Sequence, residues 1–203
     1  MIVKLADMTE EIDLTPTSYI VLGMLSMYVG EATPYDLKRM VAVSVGEFWT
    51  LPHAMMYSEP ARLARGGYVT ESQEQHGRRR KLYSLTDSGR AALEDWLHVV
   101  TPEPHVIRDL ALLKLFFGAD GQALAEGQLK ILREKLAEHE ALAAHDPGDQ
   151  PGRRRGPWEA LKFGIGHHRE AIAFWEEQAQ AGRLRATRGK PTRSKSKPKS
   201  KRP

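Results

Sequence analysis

The sequence predicts a mainly α-helical protein: an N-terminal unit of helices closed by one β-hairpin, then an all-helical C-terminal unit. Three observations predict it. Residues 34 to 86 read as helix, turn, helix and hairpin, with Arg78, Arg79, Arg80 and Lys81 at or beside the hairpin tip. Thr15-Pro16 and Thr33-Pro34 each join a capping hydroxyl to a proline suited to the first helical turn. Beyond Pro102 and Pro104, apolar residues recur three and four apart, the helical spacing. Two helices on a short turn, followed by a basic two-stranded hairpin, form the layout of a winged helix-turn-helix. Such a module sets its second helix in the major groove of double-stranded DNA and its wing along the phosphates.

Composition bounds the rest. The chain has 203 residues, room for one domain or two small ones, and a hydrophobic content of 41% with only 7% aromatic suits helices. There is no cysteine, hence no disulfide framework, thiolate metal site or cysteine nucleophile. Glu10, Glu11 and Asp13 lie where a signal peptide would need apolar residues, and the longest apolar run, 20 to 29, is too short for a bilayer. A cytoplasmic protein with no membrane partner is expected. The net charge of +4 conceals a division: the ten Lys and Arg from Arg183 onward leave −6 for residues 1 to 182. Positive charge in this acidic body collects at the wing and at Arg153-Arg154-Arg155.

Taken in order, residues 1 to 13 are expected to form a loose arm. The first helix follows, with Val21, Met24, Leu25 and Tyr28 facing the core and Gly30 ending it. The next, 34 to 45, buries Leu37, Met40, Val41 and Val45. Phe48 and Trp49 fall in the turn at 48 to 52, where an apolar anchor would fix the angle between helices. In the second helix of the motif, 52 to 65, Met56, Pro60, Leu63 and Ala64 project to one side. Ala54, Ser58, Ala61, Arg62 and Arg65 project to the other, with Tyr57 on the flank. Small residues permit close approach to a groove and arginines reach phosphate or guanine, which makes Ala54, Tyr57, Ser58, Arg62 and Arg65 candidate DNA contacts. An ordinary solvated face is the alternative reading. Pro60 predicts a kink or a late helix start. Gly66-Gly67 stops the helix, residues 68 to 73 and 81 to 85 form the strands, and Thr86 caps a helix carrying Ala92, Leu93, Trp96 and Leu97.

These residues resemble the PadR family of transcriptional regulators. The resemblance rests on Leu14-Thr15-Pro16, on Thr33 to Leu37, on Phe48-Trp49 and Tyr57, and on Leu63 to Tyr68. It continues through Arg80 to Thr86, Gly89-Arg90 and Leu93. It covers residues 14 to 97, with Pro34 where the family commonly has Gly and Pro60 where it has Leu.

The chain therefore divides into an arm (1–13), a DNA-binding domain (14–100), a helical dimerisation domain (104–182) and a basic tail (183–203). In the helical domain, residues 106 to 117 are strongly apolar, and residues 122 to 144 carry Leu129, Leu132, Leu136, His139 and Ala143 on one stripe. The last helix repeats Trp158, Leu161, Ile165, His168, Ile172, Trp175 and Ala179 at alternating spacings of three and four. Too few helices are at hand to cover both stripes, so Trp158, Leu161, Ile165, Ile172 and Trp175 are expected to pack across the two-fold axis of a homodimer. Burial within one subunit is the competing reading. The longer PadR branch likewise has a helical C-terminal domain that dimerises, and some members respond to small aromatic ligands. Trp158, Trp175, Phe163, Phe174, Phe116 and Phe117 are candidates to line such an effector site, or simply to fill a dimer core.

Nothing points to catalysis, a cofactor or a metal. Adjacent His167 and His168 diverge by about 100° on a helix, unlike an i, i+4 zinc pair, and no catalytic or phosphate-loop motif is present. His139 and His168 within apolar stripes read as buried, hydrogen-bonded histidines. The tail lacks apolar residues and is expected to be disordered. Its Arg188-Gly189-Lys190-Pro191 is similar to the core of minor-groove AT-hook peptides, though plain phosphate binding suits it better. The function expected is a homodimeric, sequence-specific regulator, a repressor, at an inverted repeat. The alternative is a nucleoid-type protein holding DNA through tail and wing with little sequence preference.

Overall fold

The computed structural model describes residues 10–75, 79–104, 106–145 and 155–188. It divides into two units, Met1–Pro104 and His105–Pro203. The first contains helices α1 (Pro16–Met27), α2 (Pro34–Ala42) and α3 (Met55–Arg65), strands β1 (Val69–Gln73) and β2 (Lys81–Leu85), and helix α4 (Asp87–Leu97). The second contains α5 (Leu110–Phe116), α6 (Gly121–Ala143) and α7 (Gly156–Arg188).

Local chemistry sets the ends of these elements. The Thr15 hydroxyl accepts from the Ser18 N–H while Ser18 answers to the Thr15 N–H, and Thr33 and Asp36 repeat this reciprocal cap on α2. Hydrogen bonding to Thr33 holds the Asp36 carboxyl below its ordinary value, outweighing burial. Thr86 caps α4 through the Gly89 N–H. The α3 helix starts at Met55, later than residue 52, and runs unbroken across a buried Pro60. Gly67, at φ 74°, supplies the left-handed residue that turns the chain from α3 into β1. A Cβ on Gly89 would collide with the Tyr68 carbonyl oxygen, so α4 meets the hairpin base only because that side chain is absent.

The two strands pair antiparallel from Val69 opposite Leu85 to Gln73 opposite Lys81. Ala32 adds an isolated bridge to Tyr83, tying the loop before α2 to the wing. The core beneath joins Val21, Leu22 and Leu25 of α1, Leu37 and Val41 of α2, Met56 and Leu63 of α3, Val69, Tyr83 and Leu93. Trp96 is part-exposed yet lies flat on Tyr19, rings 4.6 Å apart and 7° from parallel. Tyr28, expected inside, is exposed. Phe48 and Trp49 anchor nothing: they are 67% and 45% exposed, and a 3-10 turn at Val45–Glu47 carries the chain out of α2 instead.

In the second unit α6 and α7 lie antiparallel. Arg133–Glu176 and Arg169–Glu140, each 2.6 Å, place pairs seven residues apart on both helices in opposite directions. Ile165, Trp175 and Ala179 are buried within this single chain, with Trp175 among Ala111, Ala125, Leu129 and Leu132. Within the chain α5 and α6 cover Trp175, whereas Trp158, Leu161 and Ile172 of the α7 stripe are only half-buried. The apolar stretch at 106 to 117 is helical only over Leu110–Phe116, while α7 continues through Arg188, past the point where a disordered tail was expected.

Candidate nucleic-acid interface

Helix α3 presents its N-terminal half outward. Ala54 and Ser58 are exposed and Tyr57 is 53% exposed, whereas Met56, Glu59, Pro60 and Leu63 turn inward. The Ser58 hydroxyl lies against the Ala54 carbonyl at 3.4 Å, leaving a shallow surface with one aromatic projection. Small side chains on an exposed helical turn allow the backbone itself to approach a groove.

The C-terminal half of α3 behaves differently. Arg62, expected on the outward face, folds back into the protein. Its Nε donates to Glu59 Oε2 at 3.0 Å, its Nη2 to Glu59 Oε1 at 2.6 Å and to Ser18 Oγ at 2.9 Å, and its Nη1 to the Asp13 carbonyl at 2.9 Å. Ser18 in turn donates to Glu59 Oε1 at 2.7 Å. Burial pushes the Glu59 carboxyl up, but hydrogen bonds from Arg62 and Ser18 outweigh it and hold the group below its ordinary value. The pairing with Glu59 raises the guanidinium further. A guanidinium so engaged would have to leave these partners to take a guanine with its fork.

Arg65 remains 60% exposed and pairs with Glu10 at 3.1 Å, while the Glu10 N–H donates to the Arg65 carbonyl at 3.1 Å. Residues 10 to 13 are thus docked on the end of α3 rather than loose, with Ile12 packed on the core.

Of the four basic wing residues, Arg78 lies outside the described residues. Arg79, Arg80 and Lys81 stand together at the tip, all exposed, and Arg79 takes a left-handed φ of 50° that turns the loop. Each is engaged. Arg79 Nη2 donates to Gln73 Oε1 at 3.2 Å, Arg80 grips Glu74 at 2.7 Å, and Lys81 meets Glu71 at 2.7 Å. Arg80 holds the Glu74 carboxyl down, and Lys81 does the same for Glu71, in each case against the opposing effect of burial. Tyr83 donates to Glu71 at 2.9 Å, and burial, then that carboxylate, pushes its phenol up. Sequence reasoning counted the wing cations and missed Glu71 and Glu74. The alternation of the strands was the available signal, since it sets Glu71 on the face of Lys81 and Tyr83.

Among the described residues no group of three or more His, Cys, Asp or Glu is placed to hold a metal ion, and no helix is long and apolar enough to cross a membrane. His139 and His168 meet across α6 and α7 with ring centres 5.0 Å apart.

A helix-turn-helix with an exposed second helix and a basic two-stranded wing defines a DNA-binding regulator of the winged-helix class. The chain belongs to the PadR-like family of transcriptional regulators: the family's model matches residues 21–95. It is 35% identical over 127 residues to the negative transcriptional regulator PadR of Bacillus subtilis, covering 59% of this chain and 69% of that one. A probable transcriptional regulator of Mycobacterium tuberculosis is 33% identical over 177 residues, 78% of this chain and 94% of that one. Bacillus subtilis PadR in complex with operator DNA superposes with a TM-score of 0.68 at 25% identity, covering 81% of this chain and 97% of that one. Its complex with p-coumaric acid gives 0.66 at 25% identity over 84% and 99%.

Proposed function

We propose that this regulator is a repressor that binds an inverted-repeat operator as a homodimer. Ala54, Tyr57 and Ser58 face the major groove, while Arg79, Arg80 and Lys81 lie along the phosphates with Arg65 at the helix end. The observation that carries this reading is the outward N-terminal half of α3 beside an exposed basic wing. The operator complex of the Bacillus relative, and that relative's description as a negative regulator, support it.

For the dimer, the supporting feature is α5. Its inner face supplies Ala111 and Leu115 to the core, while Leu110, Leu113, Phe116 and Phe117 are 53% to 81% exposed. An apolar row left on a helix already packed on its other side suits a second copy of the chain. The p-coumaric acid complex of the relative supports a small aromatic acid as effector, with Phe174 and Trp175, edge to face at 5.1 Å, as nearby aromatics of the C-terminal unit. Selection of bound duplexes from a randomised pool tests the whole reading. Enrichment of one inverted repeat is the expected result; a pool that stays random contradicts it.

A further inference from the structure

We propose that Glu74, with Glu71 in second place, sets how strongly the wing grips DNA, by holding Arg80 and Lys81 in internal ion pairs that a phosphate must displace. The proposal rests on the wing being a phosphate-binding element, and deepens that reading.

The geometry is specific. Arg80 Nε lies 3.0 Å from both Glu74 oxygens and Nη2 lies 2.7 Å from Oε1, so the carboxylate fills the fork with which a guanidinium takes a phosphate. The main chain closes the same pair, with the Glu74 N–H on the Arg80 carbonyl at 3.0 Å and the Arg80 N–H on Glu74 Oε2 at 3.3 Å. Lys81 and Glu71 form the counterpart. The register sets Glu71 opposite Tyr83 and Gln73 opposite Lys81, so Lys81 and Glu71 are diagonal neighbours on one face. Arg80 and Glu74, one residue further along each chain, belong to the opposite face. Each face of the wing therefore carries a cation already matched by a carboxylate.

A phosphate approaching this wing exchanges one anion for another, and the displaced carboxylate stays close enough to repel it. The wing's hold on any duplex is weaker than its cations alone imply. Discrimination then falls to α3, since an arbitrary sequence offers the wing little to gain. Glu74 is the residue to test, because Glu71 also receives the buried Tyr83 hydroxyl and its loss would disturb the core.

The test is a double-mutant cycle on the full chain, with Glu74→Gln, Arg80→Gln and both, titrated with a random-sequence duplex at two salt concentrations. Glu74→Gln is expected to tighten binding about threefold, the scale of an exposed ion pair, and to steepen the salt dependence by up to about 0.9 as one more phosphate is neutralised. That gain should vanish when Arg80 is also Gln. A gain that survives in the Arg80→Gln background would mean plain repulsion and overturn the proposal. Weaker binding by Glu74→Gln would overturn it too, making Glu74 a residue that aims the guanidinium at DNA. If Arg80→Gln alone changes nothing, the phosphate-binding reading of the wing fails, and the proposal with it.

Discussion

Arg62 and Glu59, one helical turn apart on α3, form a 2.6 Å ion pair whose carboxylate is only 7% exposed. The pair is shared with Ser18 of α1 and the Asp13 carbonyl, so it welds the outward helix to the N-terminal segment. Arg62 is thereby expected to act on DNA binding through the placement of α3 rather than through a base.

Arg62→Ala should therefore destabilise the fold. Removing one partner strands a buried carboxylate, at a cost on the order of 2 to 3 kcal/mol, below the full value for a buried pair because the guanidinium keeps an edge in solvent. Thermal or urea melts measure it. The sequence preference of the folded variant should be unchanged; a relaxed preference at one base pair, without loss of stability, would return Arg62 to the groove.

The same pair makes acid stability depend on Glu59. Its carboxyl is held below the ordinary 4.5, so its contribution is fully present above that value and is lost as pH falls through the lowered one. The stability gap between wild type and Glu59→Gln should be widest near neutrality and shrink as pH falls below 4.5. A gap independent of pH would show that folding leaves the Glu59 carboxyl at its ordinary value, and a gap that widens as pH falls would show that folding raises it.

Assembly separates two faces of the C-terminal unit. Ile165 is 8% exposed against its own chain, so Ile165→Asp buries an unpaired charge and should unfold that unit at a cost of several kcal/mol. Phe116 is 81% exposed, so Phe116→Asp should leave the fold intact and dissociate the proposed dimer. Sedimentation velocity with circular dichroism distinguishes them. A Phe116→Asp protein that sediments as a dimer would place the interface elsewhere.

What could be read from the chain beforehand was local. Thr15, Thr33 and Thr86 cap helices through groups three residues away, and the alternation at Lys81–Leu85 set the second wing strand, so these elements needed no knowledge of the fold. Pro60, by contrast, lies inside α3, which starts five residues before it, so the start at Met55 does not follow from the proline. Other features depended on packing that a helical or strand pattern does not state. Arg62 lies on the polar side of a helical projection, and Glu59, one turn back, draws it in together with Ser18 and Asp13, over forty residues away. A periodic stripe on α7 states that a face is covered without stating by which chain, and α6 covers Trp175 while Trp158, Leu161 and Ile172 stay half-buried. Phe48 and Trp49 read as an anchor for the turn because they are apolar, and apolarity alone does not say that a turn can reach inward.

Tyr57 offers a probe of the groove face that stability does not confound. It is 53% exposed, so Tyr57→Ala should leave the melting transition in place while weakening the selected inverted repeat by about 1–2 kcal/mol, and random duplex much less. Equal weakening on both duplexes would assign Tyr57 to phosphate.

Under the proposed function α3, and not charge, decides where this protein binds. This is tested most directly by the ratio of dissociation constants for the selected inverted repeat and for a scrambled duplex of equal length, at one near-physiological salt concentration. An operator-reading dimer should favour the repeat by about three decades or more. A ratio within about tenfold would contradict the account and leave a protein that holds DNA by its phosphates alone.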